Sequence, residues 1–459
     1  MRFSPLDIPV VQRRLAAYKA IGRRTMRRLT GPGLFLVFAY GLSLPFVINT
    51  RSSLNYQIFA LLLSLLLVAF VACLFSLPRS NSFSLRRQAP PYGTAGQPLH
   101  YALELHNVGQ HQQTGLGLFE NAFMEPSAVA RAVLSPRAAD RRPVHPFQLR
   151  WLRLWESEGE TPLAEQAVER LEPGQTALLQ PSIVPARRGI LRFFSASLAV
   201  ADPLGLFRAL LTLDATDRVC ILPKRYPVPH ISLPEGRRHH RGGLHLAASI
   251  GDAREFAGLR DYRPGDPLRH IHWRSWAKCG KPIVKEFQDE FFVRHALALD
   301  TFPPASWRPD RADVAVFEEA VSVAASFVAM DQPGEGLLDL LFVGATTHLL
   351  TTGRGLGRND ALLEALAVAQ PCPDKPFSTL ARSVLARAGL LSGCICVLLD
   401  WDAERQALVS GLRSLGVTPL TLVLRRDNAP DLDPGPLSDR PECFRVLTPA
   451  TAARELASL

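Results

Sequence analysis

The chain has 459 residues, 47% of them hydrophobic and 20% charged, which excludes a disordered protein and implies two or three folded domains. Its net charge of +10 is local: residues 1–33 hold eight basic residues against Asp7, Arg51 adds one, and only +2 remains for the rest. A body that close to neutral has no excess charge for holding phosphates, so no nucleic-acid partner is expected. The seven cysteines are odd in number, scattered and without a Cys-x-x-Cys pair, which suits a reducing compartment and excludes a disulfide scaffold.

Residues 1–33 read as a basic N-terminal segment, in which Arg13–Leu29 has the pattern of an amphipathic helix on anionic headgroups or of a simple charged flank. Two apolar runs follow, Leu34–Ile48 and Tyr56–Leu77, joined by a short connection. They predict a two-helix transmembrane hairpin over 34–77. Basic residues before the first run and at Arg79, Arg86 and Arg87 after the second predict that both ends face the cytoplasm. A lipid membrane is the partner this pattern implies.

From 81 to 230 short apolar stretches alternate with Gly, Pro and polar breaks. Tyr101-Ala-Leu-Glu-Leu-His and the run from Leu191 to Val200 alternate with period two. An antiparallel β-sandwich is the expected middle domain, with Ala128–Pro146 as an exposed insertion. Residues 231–250 read as a linker whose His239, His240 and His245 lie in a solvated basic loop. Cys394 and Cys396 share one strand face and are read as buried small residues rather than metal ligands.

Residues 296–459 change to strands alternating with helices. Strands are expected at Ala296–Asp300, Leu337–Val343, Cys394–Asp400, Val417–Leu424 and Cys443–Leu447. Helices are expected at Asp313–Met330, Arg358–Ala369, Ser378–Ala388 and Ala403–Leu415. Continuous apolar strands between helices indicate an α/β doubly wound parallel sheet. Asp300 and Asp400 end two of the strands, where ligands of such sheets bind.

Between linker and sheet, residues 251–295 form the densest part of the chain. It contains Glu255-Phe256, Leu259-Arg260-Asp261-Tyr262, Pro264-Gly265-Asp266, Arg269-His270-Ile271-His272-Trp273 and Ala277-Lys278. Its near-balanced charges suggest internal ion pairs, with Asp266 on Arg263 or Arg269. Phe256, Leu259, Tyr262, Ile271 and Trp273 are expected to bury its other side, and Trp276 to help anchor it to the sheet. This succession of motifs resembles the domain of unknown function 58 family of bacterial membrane proteins. Arg187-Arg188-Gly189 and Asp202-Pro203-Leu204-Gly205-Leu206-Phe207 also match that family's pattern.

The resemblance implies a C-terminal domain like those of von Willebrand factor A, a place in the bacterial inner membrane as a multi-pass protein with cytoplasmic soluble domains, and a MoxR-type AAA+ ATPase as partner. Such domains commonly hold Mg²⁺ with Asp-x-Ser-x-Ser, a distant Thr and a later Asp. Here the first element reads Asp300-Thr301-Phe302-Pro303-Pro304, so two oxygen ligands are replaced by Phe and Pro. Asp300, Asp400 and Asp402, with Thr346, Thr347 or Thr379, would remain as a degenerate metal site, expected to be empty of Mg²⁺ and of any other cofactor. No P-loop, Gly-x-Ser-x-Gly or His-Glu-x-x-His occurs. The expectation is therefore a non-catalytic membrane-anchored adaptor or scaffold that assembles or activates other proteins. Glu255, Arg260, Tyr262, Pro264, Gly265, Asp266, Arg269, Trp273 and Lys278 are its candidate partner-binding residues. The competing expectation is a membrane-bound metal-dependent hydrolase using His270, His272, Asp266 and Asp261.

Overall fold

The computed structural model describes residues 30–47, 53–75, 82–124, 165–229 except 203, 240–241, and 254–459 except 290, 308–309, 331–335, 345, 354–358, 428–429 and 431. The basic segment, the insertion at 128–146 and the linker histidines His239 and His245 lie outside these residues. The chain forms two compact units, divided after Leu222.

The first unit begins with helices α1 (Gly31–Val47) and α2 (Ser53–Phe75), which pair through Tyr40 stacked on Phe59 at 5.0 Å. Thr30 caps α1 by accepting from the Gly33 amide at 3.1 Å, and its hydroxyl donates to the Gly205 carbonyl at 2.6 Å. A Cβ on Gly33 would collide with the Leu206 carbonyl, so only glycine allows this approach. The Phe70 ring of α2 meets Phe207 edge-on at 6.4 Å. Helix ends and β-fold are thus docked through the loop Asp202–Phe207.

The transmembrane hairpin expected over 34–77, and with it the multi-pass inner-membrane placement, is overturned. No helix among the described residues is long and apolar enough to cross a membrane. The 17 residues of α1 rise about 25 Å, short of the roughly 30 Å of a hydrocarbon core. In α2 the turn around Phe70 is given to Phe207 of the β-fold. Other flanks of the pair carry exposed apolar side chains, among them Phe35, Phe38 and Leu61.

Among the described residues ten strands follow: β1 (Phe83–Gln88), β2 (Tyr92–Thr94), β3 (Leu99–His100), β4 (Ala102–Asn107), β5 (Gln113–Met124), β6 (Gln166–Leu171), β7 (Thr176–Leu179), β8 (Ser182–Ile183), β9 (Gly189–Ala201) and β10 (Arg208–Leu222). They make a three-stranded sheet β1-β4-β7, a five-stranded sheet β2-β10-β9-β5-β6 and the pair β3-β8. Alternation puts Leu103 and Leu105 of one sheet, and Leu116, Leu118, Leu191, Phe193 and Leu198 of the other, into one shared core. β-Bulges interrupt that alternation, at Ala215 and Thr216 on β10 and at Phe194 on β9.

In the second unit β11 (His240–Arg241) pairs with β14 (Phe291–Phe292), and β12 (Arg254–Asp261) with β13 (Ile283–Asp289). The main sheet has the order β17-β16-β15-β18-β19-β20. Its strands are β15 (Arg294–Leu299), β16 (Leu337–Val343), β17 (Thr347–Thr352), β18 (Gly393–Leu398), β19 (Thr418–Leu424) and β20 (Phe444–Leu447). All pairs are parallel except β16–β17, an antiparallel edge that the sequence reading did not include.

Helix α3 (Trp273–Cys279) belongs to the β12–β13 connection. The sheet is covered by α4 (Arg311–Ala329), α5 (Asn359–Ala367), α6 (Ser378–Leu385), α7 (Ala403–Ser414) and α8 (Ala452–Ala457). Ala296, Ala298, Cys394, Cys396 and Leu398 face α6 and α7 through Leu380, Val384, Leu408, Val409 and Leu412. The alternate residues Leu297, Leu299, Ile395 and Val397 are equally buried on the opposite face, which explains why these strands read as unbroken apolar runs. The thiols of Cys394 and Cys396 lie 3.7 Å apart inside this core. Because α4 leads to β16 on one side of β15 while the chain later enters β18 on the other, the order reverses between β15 and β18.

Candidate functional site

Two places carry the chemistry-bearing residues. The first is the crevice at the carboxyl ends of β15 and β18, the switch point of the sheet. Asp300, the residue after β15, is fully buried. Its Oδ1 accepts from the Phe302 amide at 2.9 Å, and its Oδ2 from the Leu399 amide at 3.1 Å and from Arg405 Nε at 2.7 Å. Burial pushes the Asp300 carboxyl above its ordinary value, while Arg405 and the two amides pull it down. Since every group aimed at it is a donor, it serves as the acceptor carboxylate.

Arg405 is the residue sequence reasoning missed. It sits in the first turn of α7, whose N-cap Asp402 accepts from the Arg405 amide at 3.0 Å. Arg405 Nη1 donates to Asp402 Oδ2 at 2.6 Å and Nη2 to the Phe302 carbonyl at 2.9 Å, and its guanidinium lies 4.7 Å from the Phe377 ring centre. One signal was available: Arg405 stands three, four and seven residues before the buried Leu408, Val409 and Leu412, on the apolar stripe of α7.

Asp400 is half-buried and its Oδ1 accepts from the Trp401 amide at 2.8 Å. Thr301 donates its hydroxyl to the Val343 carbonyl at 2.6 Å, whereas Thr347 begins β17 and Thr379 lies on α6. The residues do not fit Mg²⁺. The Asp300, Asp402 and Phe302 oxygens that a metal would draw on already face N–H donors, as does Asp400 Oδ1. No cluster of three or more His, Cys, Asp or Glu side chains suited to a metal occurs among the described residues.

A second charged cluster went unseen at the start of α4. Arg426, just past β19, donates to Asp313 Oδ1 at 2.6 Å and to Asp310 Oδ2 at 3.1 Å. Asp313 is buried, and that burial raises its pKa against the pull of Arg426. At the other end of the sheet Arg294 makes a two-pronged contact with buried Asp339, at 2.8 and 3.0 Å, and Thr351 adds a bond at 2.7 Å. An aspartate inside the apolar run Leu337–Val343 was the legible sign of that pair.

The second place is the hairpin β12–β13 and its connection. Pro264-Gly265 turns the chain, with Gly265 at φ 105° and the Asp266 amide donating to the Arg263 carbonyl at 3.0 Å. Asp266 then receives Arg260 Nη1 at 2.7 Å, Arg260 Nη2 at 2.8 Å and the Arg263 amide at 2.8 Å. The expected side-chain pairing with Arg263 or Arg269 is corrected: Arg260 is the hydrogen-bonded ion-pair partner, and Arg263 hydrogen-bonds Asp266 through its backbone amide. Ile271 of the connection bridges to Val284 of β13, and both are buried. Helix α3 closes on Gly280 at φ 68°.

Trp273 is 63% exposed and stacks on Trp276 at 5.3 Å, so it does not bury the segment's inner side as expected. Leu268, Leu259, Arg269, Lys278 and Pro264 are exposed as well, and Tyr262 is half-buried. The Glu255 side chain lies outside the described residues. His272 Nδ1 is 2.6 Å from Ser275 Oγ, Asp266 is paired with Arg260, and Asp261 is exposed at the end of β12.

The Arg260 guanidinium and the Arg263 amide hold the Asp266 carboxyl down to about 2 from 3.8. A carboxyl depressed in the folded state adds stability above its unfolded value, and that stability is lost as pH falls through the folded one. The turn is expected to loosen between pH 4 and 2, with loss of the exciton dichroism of the stacked indoles, and Asp266→Asn should flatten that titration. An identical acid titration in Asp266→Asn would show that the pair does not hold the turn.

Residues 258–430 match the family described as Protein of unknown function DUF58. The chain is similar to the uncharacterized protein YeaD of Bacillus subtilis (strain 168), with 25% identity over 205 residues, which is 44% of this chain and 48% of that protein. It therefore spans about half the length of that relative. Among solved structures, the CARDB domain from Pyrococcus furiosus covers 30% of the chain and 90% of that domain, at 10% identity and a TM-score of 0.16. A cohesin module from Clostridium perfringens covers 30% of the chain and 96% of that module, at 8% identity and a TM-score of 0.16.

Proposed function

We propose that the protein is a non-catalytic adaptor or scaffold that presents the β12–β13 connection to a protein partner, a MoxR-type AAA+ ATPase being the partner class suggested by the family resemblance. The observation that carries this reading is the exposed Trp273, stacked on Trp276 and set on a frame fixed by the Arg260–Asp266 pair. A large aromatic side chain exposed on an ordered support is what binding hot spots are made of. Arg269, Arg274 and Lys278 are exposed in the same connection and would form the polar rim.

The test is binding of the purified chain to a purified MoxR-type ATPase from the same genome. Trp273→Ala is expected to weaken binding by about tenfold or more while leaving the melting temperature unchanged, because an exposed indole contributes little to folding. Unchanged affinity in Trp273→Ala and in Arg269→Ala would sink the assignment of this surface.

A further inference from the structure

We propose that Arg405 is the resident cation of the switch-point crevice. Its guanidinium takes the place of the divalent ion that the family resemblance implies, and the loops after β15 and β18 are therefore set without any metal.

The argument begins with charge. A fully buried carboxylate such as Asp300 needs a compensating positive charge, and the chain supplies one covalently. The side chain of Arg405 is 4% exposed, and its three nitrogens reach three acceptors, two in the loop after β15 and one at the head of α7. Nε binds Asp300 after β15, Nη2 binds the Phe302 carbonyl in the following loop, and Nη1 binds Asp402 at the head of α7. Phe377, the residue before α6, closes the guanidinium face. One cation thus gathers oxygens from both sides of the switch point, as a bound ion would.

Geometry then excludes a second cation. Mg²⁺ takes six oxygens at about 2.0–2.1 Å, usually with several waters. The residues after Asp300 and Thr301 are Phe302, Pro303 and Pro304, which offer no side-chain oxygen. Asp300, Asp400 and Asp402 carry three negative charges and Arg405 cancels one, but the oxygens of Asp300 and Asp402 are already taken by N–H donors, which a divalent ion would have to displace. Because the guanidinium is tethered, it presents no exchangeable coordination position, and a partner's carboxylate cannot complete its shell. Whatever this end of the sheet contacts, it does so without depending on divalent ions. This inference stands apart from the adaptor reading and does not need it.

The test uses the full-length chain, with Mn²⁺ as probe. Wild type is expected to show no bound Mn²⁺ by electron paramagnetic resonance, and the same melting temperature in Mg²⁺, Mn²⁺ or EDTA. Arg405→Ala removes the resident cation and exposes the carboxylates of Asp300 and Asp402. It should acquire one Mn²⁺ per chain, with a rise in melting temperature of about 4 °C, and Asp300→Asn in the same background should abolish both. If Arg405→Ala does not fold, Arg405→Lys keeps a positive charge and is expected to fold and to bind no Mn²⁺. One Mn²⁺ bound to wild type and lost in Asp300→Asn would overturn the proposal. So would a folded Arg405→Ala that gives no Mn²⁺ response, or a folded Arg405→Lys that binds Mn²⁺.

Discussion

Replacing Glu120 by alanine is expected to destabilise the first unit by about 3–5 kcal/mol, the cost of leaving a buried charge without its partner. Glu120 sits on β5 at 3% exposure, facing Arg87 of β1, whose side chain is 2% exposed. Arg87 Nε donates to Glu120 Oε1 at 3.0 Å, Nη2 meets the same oxygen, and the Tyr101 hydroxyl donates to Oε2. The remaining prong, Nη1, reaches the Ala215 carbonyl at 2.7 Å. Ala215 lies in the bulge between Asp214 and Asp217, where the ladder with β9 is interrupted, so the bulge supplies the acceptor. Phe193 covers the guanidinium at 4.3 Å.

These contacts join the three-stranded to the five-stranded sheet through one cation. Glu120→Ala would strand that cation in the sandwich core, whereas Tyr101→Phe removes a single hydrogen bond and should cost about 1–2 kcal/mol. Burial and the neighbouring Glu120 both push the Tyr101 phenol well above its ordinary value, so it remains a donor throughout the working pH range. Hydrogen exchange of the β1 and β5 amides measures both effects. If Glu120→Ala costs no more than Tyr101→Phe, the pair is not the joint between the sheets.

The alternation of strands and helices after residue 296 was legible because it needs only two periodicities. The helix α4 begins at Arg311 where the pattern placed it at Asp313, and β16 occupies Leu337–Val343 as read. The first apolar runs misled for a physical reason. Hydropathy reports that a helix is apolar all round, and says nothing of which of its turns meet another element. The docking of Thr30 on Gly205 and Phe70 on Phe207 joins residues more than a hundred positions apart, and no local pattern encodes it. The segment at 251–295 was legible as a motif but not as a surface. Its spacing gave the Pro264-Gly265 turn, while the choice of Arg260 over Arg263 for Asp266, and the outward face of Trp273, depend on the hairpin geometry. Arg405 was hidden by ambiguity: Asp402-x-x-Arg405 at the head of a helix looks like a surface pair, and only its place on the apolar stripe says otherwise.

That buried arginine leads to the second large effect. Asp300→Ala is expected to cost the second unit about 3–5 kcal/mol, since Arg405 would keep its charge in a crevice at 4% exposure and lose its one fully buried anion, with the more exposed Asp402 and Asp400 left beside it. It would also orphan the Phe302 and Leu399 amides, which no water can reach if the crevice stays closed. Arg405→Ala strands the Asp300 carboxylate in turn. The double variant removes both charges, so its cost should fall short of the sum of the two singles by about 2–3 kcal/mol, a coupling typical of residues sharing one network. Hydrogen exchange of the amides in β15 and β18, measured in EDTA, gives the four corners of that cycle without assuming that both units unfold together. Strict additivity would mean that Asp300 and Arg405 act independently. A large coupling in EDTA means that the crevice is held by an ion pair carried in the sequence, with no ion from solution required.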